Sequence, residues 1–207
     1  MSQAVPHDDT QAANLLSQAP TPLALLRRST ARRPDHPALI YLRDARDAQP
    51  VSLTYQELLR EVETLCRALR ARGLSQEDGV ALLLPLIPQA ASSLIAALTV
   101  GVAFPVNLLL SPEAMASQFR LARVKTVIVM GAHPALDVNA RAKMAIEQME
   151  TDVDLVEVPI GEQDSAVSGW SELLKDGAGD GEVTPVPEAP AALVHTGGTT
   201  GAPSSRS

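Results

Sequence analysis

Hydrophobic residues along the chain follow two patterns, one with helical spacing and one with short unbroken runs. Leu58, Val62, Leu65, Cys66 and Leu69 recur every three or four residues, which is typical of the buried face of an amphipathic helix. Unbroken apolar runs are typical of the central strands of a parallel sheet. The alternation of the two patterns predicts an α/β fold in which helices flank a mostly parallel sheet. The predicted strands span residues 38–42, 51–54, 80–84, 103–106, 126–130 and 155–158, and the predicted helices span residues 22–33, 55–72, 90–100, 113–122, 138–149 and 168–175.

Two helix starts have clear capping sequences. The segment Thr54-Tyr55-Gln56-Glu57 has the form of a capping box, in which the threonine hydroxyl and the glutamate carboxylate accept hydrogen bonds from free backbone N–H groups. Ser111 followed by Pro112 predicts a second start, because serine is a favoured N-cap and proline is tolerated in the first turn. Gly73 is predicted to end the first of these helices by adopting a left-handed conformation.

Changes in composition divide the chain into four predicted parts. Residues 1–20 form a loose amino-terminal segment, and residues 21–175 form an α/β subdomain. Residues 176–190, which are rich in glycine, proline and acidic side chains, form a linker or an exposed loop. Residues 191–207 form a short strand followed by a loop.

Charge and cysteine content exclude several classes of protein. The 17 Lys and Arg residues and 24 Asp and Glu residues give a net charge of −7, and such an acidic surface repels phosphate backbones. Aromatic residues, on which the bases of single strands stack, are only 2% of the chain. Nucleic acid is therefore not an expected partner. The single cysteine, Cys66, is predicted to be a buried apolar residue in a protein of a reducing compartment. Asp8 and Asp9 stand where a secretory signal has basic residues, which favours a cytoplasmic location.

An uncharged stretch from Gly79 to Pro112 raises the alternative of a membrane-spanning helix. Pro85, Pro88 and Pro105 divide it into pieces shorter than the roughly 20 apolar residues that a span requires. The stretch therefore favours buried strands and a buried helix, and no integral membrane association is expected. If part of the sheet is missing, residues 90–100 are predicted to expose an apolar face.

The segment from His195 to Pro203 reads His-Thr-Gly-Gly-Thr-Thr-Gly-Ala-Pro and directly follows a short apolar run. Glycines let consecutive backbone N–H groups face inward, and threonine hydroxyls add donors, so this composition suits the binding of phosphate oxygens. The alternative is an ordinary Gly/Thr-rich turn. The spacing fits neither the Walker loop nor the G-x-G-x-x-G dinucleotide fingerprint.

Residues Thr196 to Pro203 resemble the phosphate-binding signature of the adenylate-forming (AMP-binding) superfamily, [ST]-[SG]-G-T-T-G-x-P-K, and the leading His-Thr-Gly-Gly is similar to that of bacterial acyl-CoA synthetases. The resemblance covers about residues 23–203 and implies the amino-terminal portion of the adenylate-forming synthetase fold. Three upstream segments are similar to further motifs of the family. Leu53–Leu58 resembles its T-Y-x-E-L helix start, and Gly101–Asn107 resembles its G-A-x-x-x-P-V-N segment. Gly79–Pro85 resembles its G-D-x-V-A-L-L-L-P strand, with Asp78-Gly79 in place of Gly-Asp.

The resemblance implies an acid–thiol ligase that activates a fatty or other carboxylic acid. A carboxylate attacks the α-phosphorus of Mg-ATP to give an acyl-adenylate and pyrophosphate, and the thiol of coenzyme A then displaces AMP. No catalytic or metal-binding residue is assigned within the chain, and the role of His195 stays open. The residues implied to surround the β- and γ-phosphates are Thr196, Gly197, Gly198, Thr199, Thr200 and Gly201.

The chain departs from the family at its end. Ser204 stands where the family has lysine, and the motifs that the family places further on, including the Mg²⁺-binding carboxylate and the adenylation lysine, do not follow. The departure indicates a truncated or frame-shifted product that is inactive alone, or a fragment of a longer protein. A different hypothesis is a non-catalytic module that keeps the fold and binds a nucleotide or a partner protein. The acyl group and the oligomeric state are not predicted.

Overall fold

The structure is a computed structural model that describes residues 19–42, 50–160, 169–186 and 191–194. The helices in these ranges are α1 (Pro22–Arg32), α2 (Tyr55–Ala71), α3 (Pro88–Val100), α4 (Pro112–Leu121), α5 (Val138–Ile146) and α6 (Gly169–Asp176). The strands are β1 (Pro37–Tyr41), β2 (Val51–Thr54), β3 (Gly79–Leu83), β4 (Val102–Pro105), β5 (Val124–Met130) and β6 (Asp154–Val158).

Four of the strands form a parallel sheet in the order β4-β3-β5-β6. Strands β1 and β2 pair with each other in a separate antiparallel sheet. On the side of β4 that faces away from β3, the Ala103 N–H donates to the Ala191 carbonyl at 2.9 Å, and the Leu193 N–H donates to the Ala103 carbonyl at 2.9 Å. Residues 191–193 therefore extend the parallel sheet beyond β4 through a single bridge. The predicted α/β fold with a mostly parallel sheet and flanking helices is confirmed.

Successive residues of a strand point to opposite faces, and each face of this sheet has its own hydrophobic core. Val80 and Leu82 of β3 belong to the core that α1, α2, α3 and α6 cover. Ala81 and Leu83 belong to the core that α4 and α5 cover. All five residues of β3 are buried, which explains the unbroken apolar run in the sequence.

The uncharged stretch from Gly79 to Pro112 contains β3, α3 and β4. Ala96, Ala97 and Val100 of α3 are fully buried in the core shared with α2, whereas Leu94 of the same helix is 36% exposed. The exposed apolar face expected where part of the sheet is missing stays a prediction. The interpretation as buried strands and a buried helix is confirmed. Within the ranges described above, no helix combines the length and the apolar character needed to cross a membrane.

The predicted capping box is present at the start of α2. The Thr54 N–H donates to Glu57 Oε2 at 2.8 Å, and the Glu57 N–H donates to Thr54 Oγ1 at 3.2 Å. Several other boundaries differ from prediction by one to three residues, and the physical reason is visible at two of them. Helix α5 ends three residues before the predicted Met149, because N–H groups from residue 148 onward bond three residues back in tight turns. Strand β5 begins two residues before Thr126, because the Gly79 N–H bonds to the Arg123 carbonyl and extends the pairing with β3.

Candidate functional site

The connections of the parallel sheet diverge at the carboxyl ends of β3 and β5. The connection from β3 runs through α3 on one face and leads to β4, whereas the connection from β5 runs through α5 on the other face and leads to β6. Ligands of open α/β sheets bind in the crevice outside the strand ends where connections diverge in this way. The topology therefore marks the carboxyl edge of the sheet as the candidate site.

The predicted phosphate-binding residues follow the last described segment of this sheet. Ala192 pairs in parallel with Ala103, so the chain reaches Val194 at the carboxyl edge. Thr196, the first residue of the motif, is the second residue after Val194. His195 and the residues assigned to phosphate lie outside the described residues, and their roles remain predictions. Those residues are Thr196, Gly197, Gly198, Thr199, Thr200 and Gly201.

The loop after β4 is a tight turn held by its own asparagine. The Oδ1 atom of Asn107 accepts a hydrogen bond from the Leu109 N–H at 2.9 Å, which is the usual asparagine turn. The chain then enters α4, where Ser111 Oγ accepts from the Ala114 N–H at 3.3 Å as the predicted N-cap. The segment Gly101–Asn107, which resembles a motif of the family, therefore ends in a turn of fixed conformation next to the carboxyl end of residues 191–194.

Charged side chains are scarce at this edge. The described loops after β3 and β4 contain none, and the loop after β5 contains Asp137. Arg141 of α5 donates to the Leu110 carbonyl at 2.7 Å and to Asp137 Oδ1 at 2.8 Å, and its side chain is only 18% exposed. It fastens α5 to the loop after β4 and is not a free cation for phosphate. The sequence analysis did not identify it, although the spacing of Asp137 and Arg141 is that of a helical ion pair.

A family model described as AMP-binding enzyme matches residues 26–204. The chain belongs to this family. Acetyl-coenzyme A synthetase 2 of Pseudomonas putida is 29% identical over 188 residues, which are 85% of this chain and 29% of the relative. Acetyl-coenzyme A synthetase 1 of Candida albicans is 40% identical over 74 residues, which are 36% of this chain and 11% of the relative.

A solved structure, that of acetoacetyl-CoA synthetase from Streptomyces lividans, resembles this AMP-binding chain with a TM-score of 0.64 and 26% sequence identity. The match covers 78% of this chain and 25% of the solved one. The chain thus spans less than a third of the length of each of these proteins.

Two cavities among the described residues lie away from the carboxyl edge of the sheet. One, of about 500 Å³, opens at the amino ends of β3 and β5, and the other, of about 580 Å³, lies between the end of α2 and residues 176–184. In the first, Arg123 pairs with Glu77 at 3.2 Å and Lys125 Nζ donates to the Gly73 carbonyl at 2.6 Å. The basic residues are balanced by equal numbers of acidic ones, so this cavity is not an anion site. Its charged lining residues are Asp78, Arg120, Arg123, Lys125, Glu150 and Asp152.

Cys66 is fully buried in α2, as predicted. Its Sγ atom lies 3.9 Å from the Ala96 carbonyl oxygen, and burial raises the pKa of the thiol to about 12. The thiolate that nucleophilic chemistry or metal binding requires is therefore not formed at neutral pH. Among the residues that the structure describes, no cluster of three or more His, Cys, Asp or Glu side chains is placed to hold a metal ion.

Proposed function

We propose that this chain supplies the amino-terminal part of a cytoplasmic acyl-CoA synthetase, an ATP-dependent acid–thiol ligase. The observation that carries the proposal is the family match over residues 26–204, which extends through the motif that follows the carboxyl edge of the sheet. In this proposal residues 21–175 are the supporting α/β subdomain, and residues 176–190 connect it to the strand and phosphate-binding loop of residues 191–207.

The contribution of this chain to the reaction is to hold and orient the leaving group. Backbone N–H groups and threonine hydroxyls of residues 196–201 bind the β- and γ-phosphates while the carboxylate oxygen attacks the α-phosphorus. The bond from the α-phosphorus to the bridging oxygen breaks, and pyrophosphate leaves with that oxygen. The coenzyme A thiol then attacks the acyl carbon, loses its proton and displaces AMP.

The names of the relatives favour a short acyl group. Curated relatives that match 85% of this chain are acetyl-coenzyme A synthetases, and the Streptomyces lividans structure, which is 26% identical over 78% of the chain, is an acetoacetyl-CoA synthetase. We therefore propose a short carboxylic acid as substrate and place fatty acids second, together with ATP and coenzyme A.

A chimeric enzyme tests the proposal. The aligned segment of the Pseudomonas putida relative is replaced by this chain, and acid-dependent exchange of pyrophosphate into ATP is measured with acetate, acetoacetate and a long-chain acid. We expect exchange with a short acid. Replacing both Thr199 and Thr200 by alanine should lower the rate by about 10- to 100-fold, since each removes a donor to the leaving phosphates.

Thr151→Ala is the matched control, because Thr151 is exposed at the opposite, amino edge of the sheet and should leave the rate unchanged. A folded chimera without exchange, or equal losses in the paired Thr199/Thr200 variant and in the control, would contradict the proposal.

A further inference from the structure

The first turn of α5 carries two polar side chains that bond to backbone carbonyls at the carboxyl edge of the sheet. Asn139 Nδ2 donates to the carbonyl of Met130, the last residue of β5, at 3.2 Å. Arg141 Nη1 donates to the carbonyl of Leu110, in the loop after β4, at 2.7 Å. Asn139 is 8% exposed and the Arg141 side chain is 18% exposed, so both bonds are largely shielded from water, where hydrogen bonds are stronger. Helix α5 is thereby tied to the ends of the two strands that lie on either side of β3.

The side chain of Asp137 orients Arg141 instead of capping the helix. Asp137 is the N-cap residue of α5, and an aspartate in that position ordinarily accepts a hydrogen bond from a backbone N–H of the first turn. Here its side chain makes no such bond. Its Oδ1 atom accepts from Arg141 Nε at 2.8 Å, while Nη1 of the same guanidinium bonds to the loop after β4. A favoured capping interaction is thus replaced by one that fixes the direction of the arginine.

The turn of residues 107–110 depends on this arginine for its attachment. The Leu109 N–H donates to Asn107 Oδ1 at 2.9 Å, and the Leu110 N–H donates to the Asn107 carbonyl at 3.3 Å, so both of these bonds lie inside the turn. Among the residues that the structure describes, the bond from Arg141 is the one hydrogen bond that joins the turn to another element. Leu108 and Leu110 pack on the core below, whereas Leu109 is 75% exposed. Loss of the bond from Arg141 should therefore loosen the turn and leave the core in place.

The same bond joins two connections that form one wall of the crevice at the carboxyl edge. The connection from β3 passes to α3 on one face of the sheet, whereas the connections from β4 and β5 pass to α4 and α5 on the other face. Arg141 belongs to α5 and Leu110 belongs to the loop that leads to α4. Their hydrogen bond makes this wall a single unit.

The turn adjoins the segment that leads to the predicted phosphate-binding motif. Ala103 of β4 pairs in parallel with Ala192. Asn107 follows Ala103 by four residues, and Thr196 follows Ala192 by four residues. Neighbouring strands lie about 4.8 Å apart, so the turn leaves the sheet beside the segment that continues into the motif.

We propose that Arg141 is a positioning residue of the nucleotide site, which holds the turn of residues 107–110 in the place that bound ATP requires. The proposal rests on the function proposed above. Arg141 acts through the Leu110 carbonyl, and its second partner is Asp137. When the bond to Leu110 is lost, ATP has to order the turn as it binds. That cost lowers the affinity for ATP and leaves the rate of the bound complex unchanged.

Hydrogen exchange in the full chain tests whether Arg141 holds the turn. The amides of Leu109 and Leu110 are followed by NMR in the unaltered chain and in Arg141→Met, which keeps an apolar stem and removes the donors. We expect exchange at both amides to be faster by about fivefold or more, because opening the turn no longer breaks a charge-assisted bond. Arg120→Met is the matched control and should leave both amides unchanged. Arg120 also donates from a helix to a backbone carbonyl, that of Gln148 just after α5, but at the amino edge of the sheet.

ATP binding to the chimera described above tests the positioning role. Calorimetry with ATP, without the acid, gives the Kd and the number of sites, and the exchange assay gives KM and kcat. We expect Arg141→Met to raise the Kd and the KM for ATP about tenfold and to leave kcat and the KM for the acid within about twofold. Arg141→Lys can still donate to a carbonyl and should stay within about threefold of the unaltered chimera. A protein that is only destabilised would instead show fewer sites with an unchanged Kd.

Unchanged exchange at Leu109 and Leu110 in Arg141→Met overturns the proposal. Equal losses in Arg120→Met also overturn it, as does a fall in kcat or in the number of sites at constant KM for ATP, because the role of Arg141 is then structural. A chimera that binds ATP but exchanges no pyrophosphate refutes the proposed function alone. An active chimera whose affinity for ATP does not depend on Arg141 refutes the positioning role alone, and a folded chimera that binds no ATP refutes both.

Discussion

The substitution Gly177→Ala tests how residues 177–186 are held against α2. A Cβ atom at this position would lie 2.0 Å from the Thr64 carbonyl oxygen and 2.8 Å from the Thr64 carbonyl carbon. Thr64 is in the middle of α2, so its backbone cannot move without disturbing the helix. The segment must instead retreat by roughly 1 Å, a displacement that a close-packed interface does not absorb.

The retreat breaks defined interactions, and these set the expected cost. Arg67 Nε donates to the Gly177 carbonyl at 2.9 Å, a bond from a charged donor worth about 1.5–3 kcal/mol. The Gly177 N–H donates to the Leu173 carbonyl at 3.2 Å at the end of α6, worth about 1 kcal/mol. Val183, buried in the core further along the segment, loses part of its contact. We expect Gly177→Ala to lower the free energy of unfolding by about 2–4 kcal/mol, the larger part being these two hydrogen bonds.

Gly179 provides the matched control two residues along the chain. A Cβ atom there meets nothing within 4 Å. Gly179→Ala should therefore stay within about 0.5 kcal/mol of the parent protein, or stabilise it slightly by restricting the unfolded chain. Urea unfolding monitored by circular dichroism gives both free energies, with the m-value as a check on two-state behaviour. A Gly177→Ala variant within about 0.5 kcal/mol of the parent would refute the packing argument.

Two further predictions concern buried groups of α2. Burial raises the pKa of Glu61 above its ordinary value of 4.5, although Ser92 Oγ donates to its Oε1 at 2.6 Å and opposes the rise. The folded state therefore binds the proton of Glu61 more tightly than the unfolded state does, and the free energy of unfolding falls as pH rises through the raised pKa. The variant Glu61→Gln should gain stability relative to the parent protein between pH 4 and pH 8, measured by urea titrations at each pH. A stability difference that does not depend on pH would contradict this prediction. Cys66, with its pKa near 12, should react with a thiol reagent at pH 8 only after denaturation, and rapid reaction of the folded protein would disprove its burial.

Local features of the chain were predictable because they depend on neighbours in sequence. Thr54 and Glu57 are three residues apart, and their reciprocal hydrogen bonds form as soon as the helix starts. The position of Gly73 at the end of α2 is equally local, and its φ of +80° is the left-handed conformation expected of it. The start of β5 was not predictable in this way, since it depends on a hydrogen bond to Gly79, far away in sequence.

The exposure of Leu86, which is 92%, was missed for a different reason. An apolar residue in an apolar run is ordinarily assigned to the core, and Leu86 stands between Pro85 and Ile87 in such a run. Its exposure follows only from the order of the strands and the position of the turn after β3. Phosphate binding by residues 196–201, in contrast, stays a prediction from their composition and from the family resemblance, because this chemistry depends on glycine and threonine rather than on tertiary packing.

A last prediction concerns the affinity of this chain for ATP. For the chain alone we expect ATP to bind at millimolar affinity or weaker, because Ser204 lacks the charge of the family's lysine and charge-assisted contacts to phosphate are about twice as strong as neutral ones. Calorimetry with ATP measures the affinity of the chain, and Ser204→Lys should change this affinity little, since one cation does not rebuild a site. Micromolar binding of ATP by the unaltered chain would show instead that it is a nucleotide-binding module in its own right.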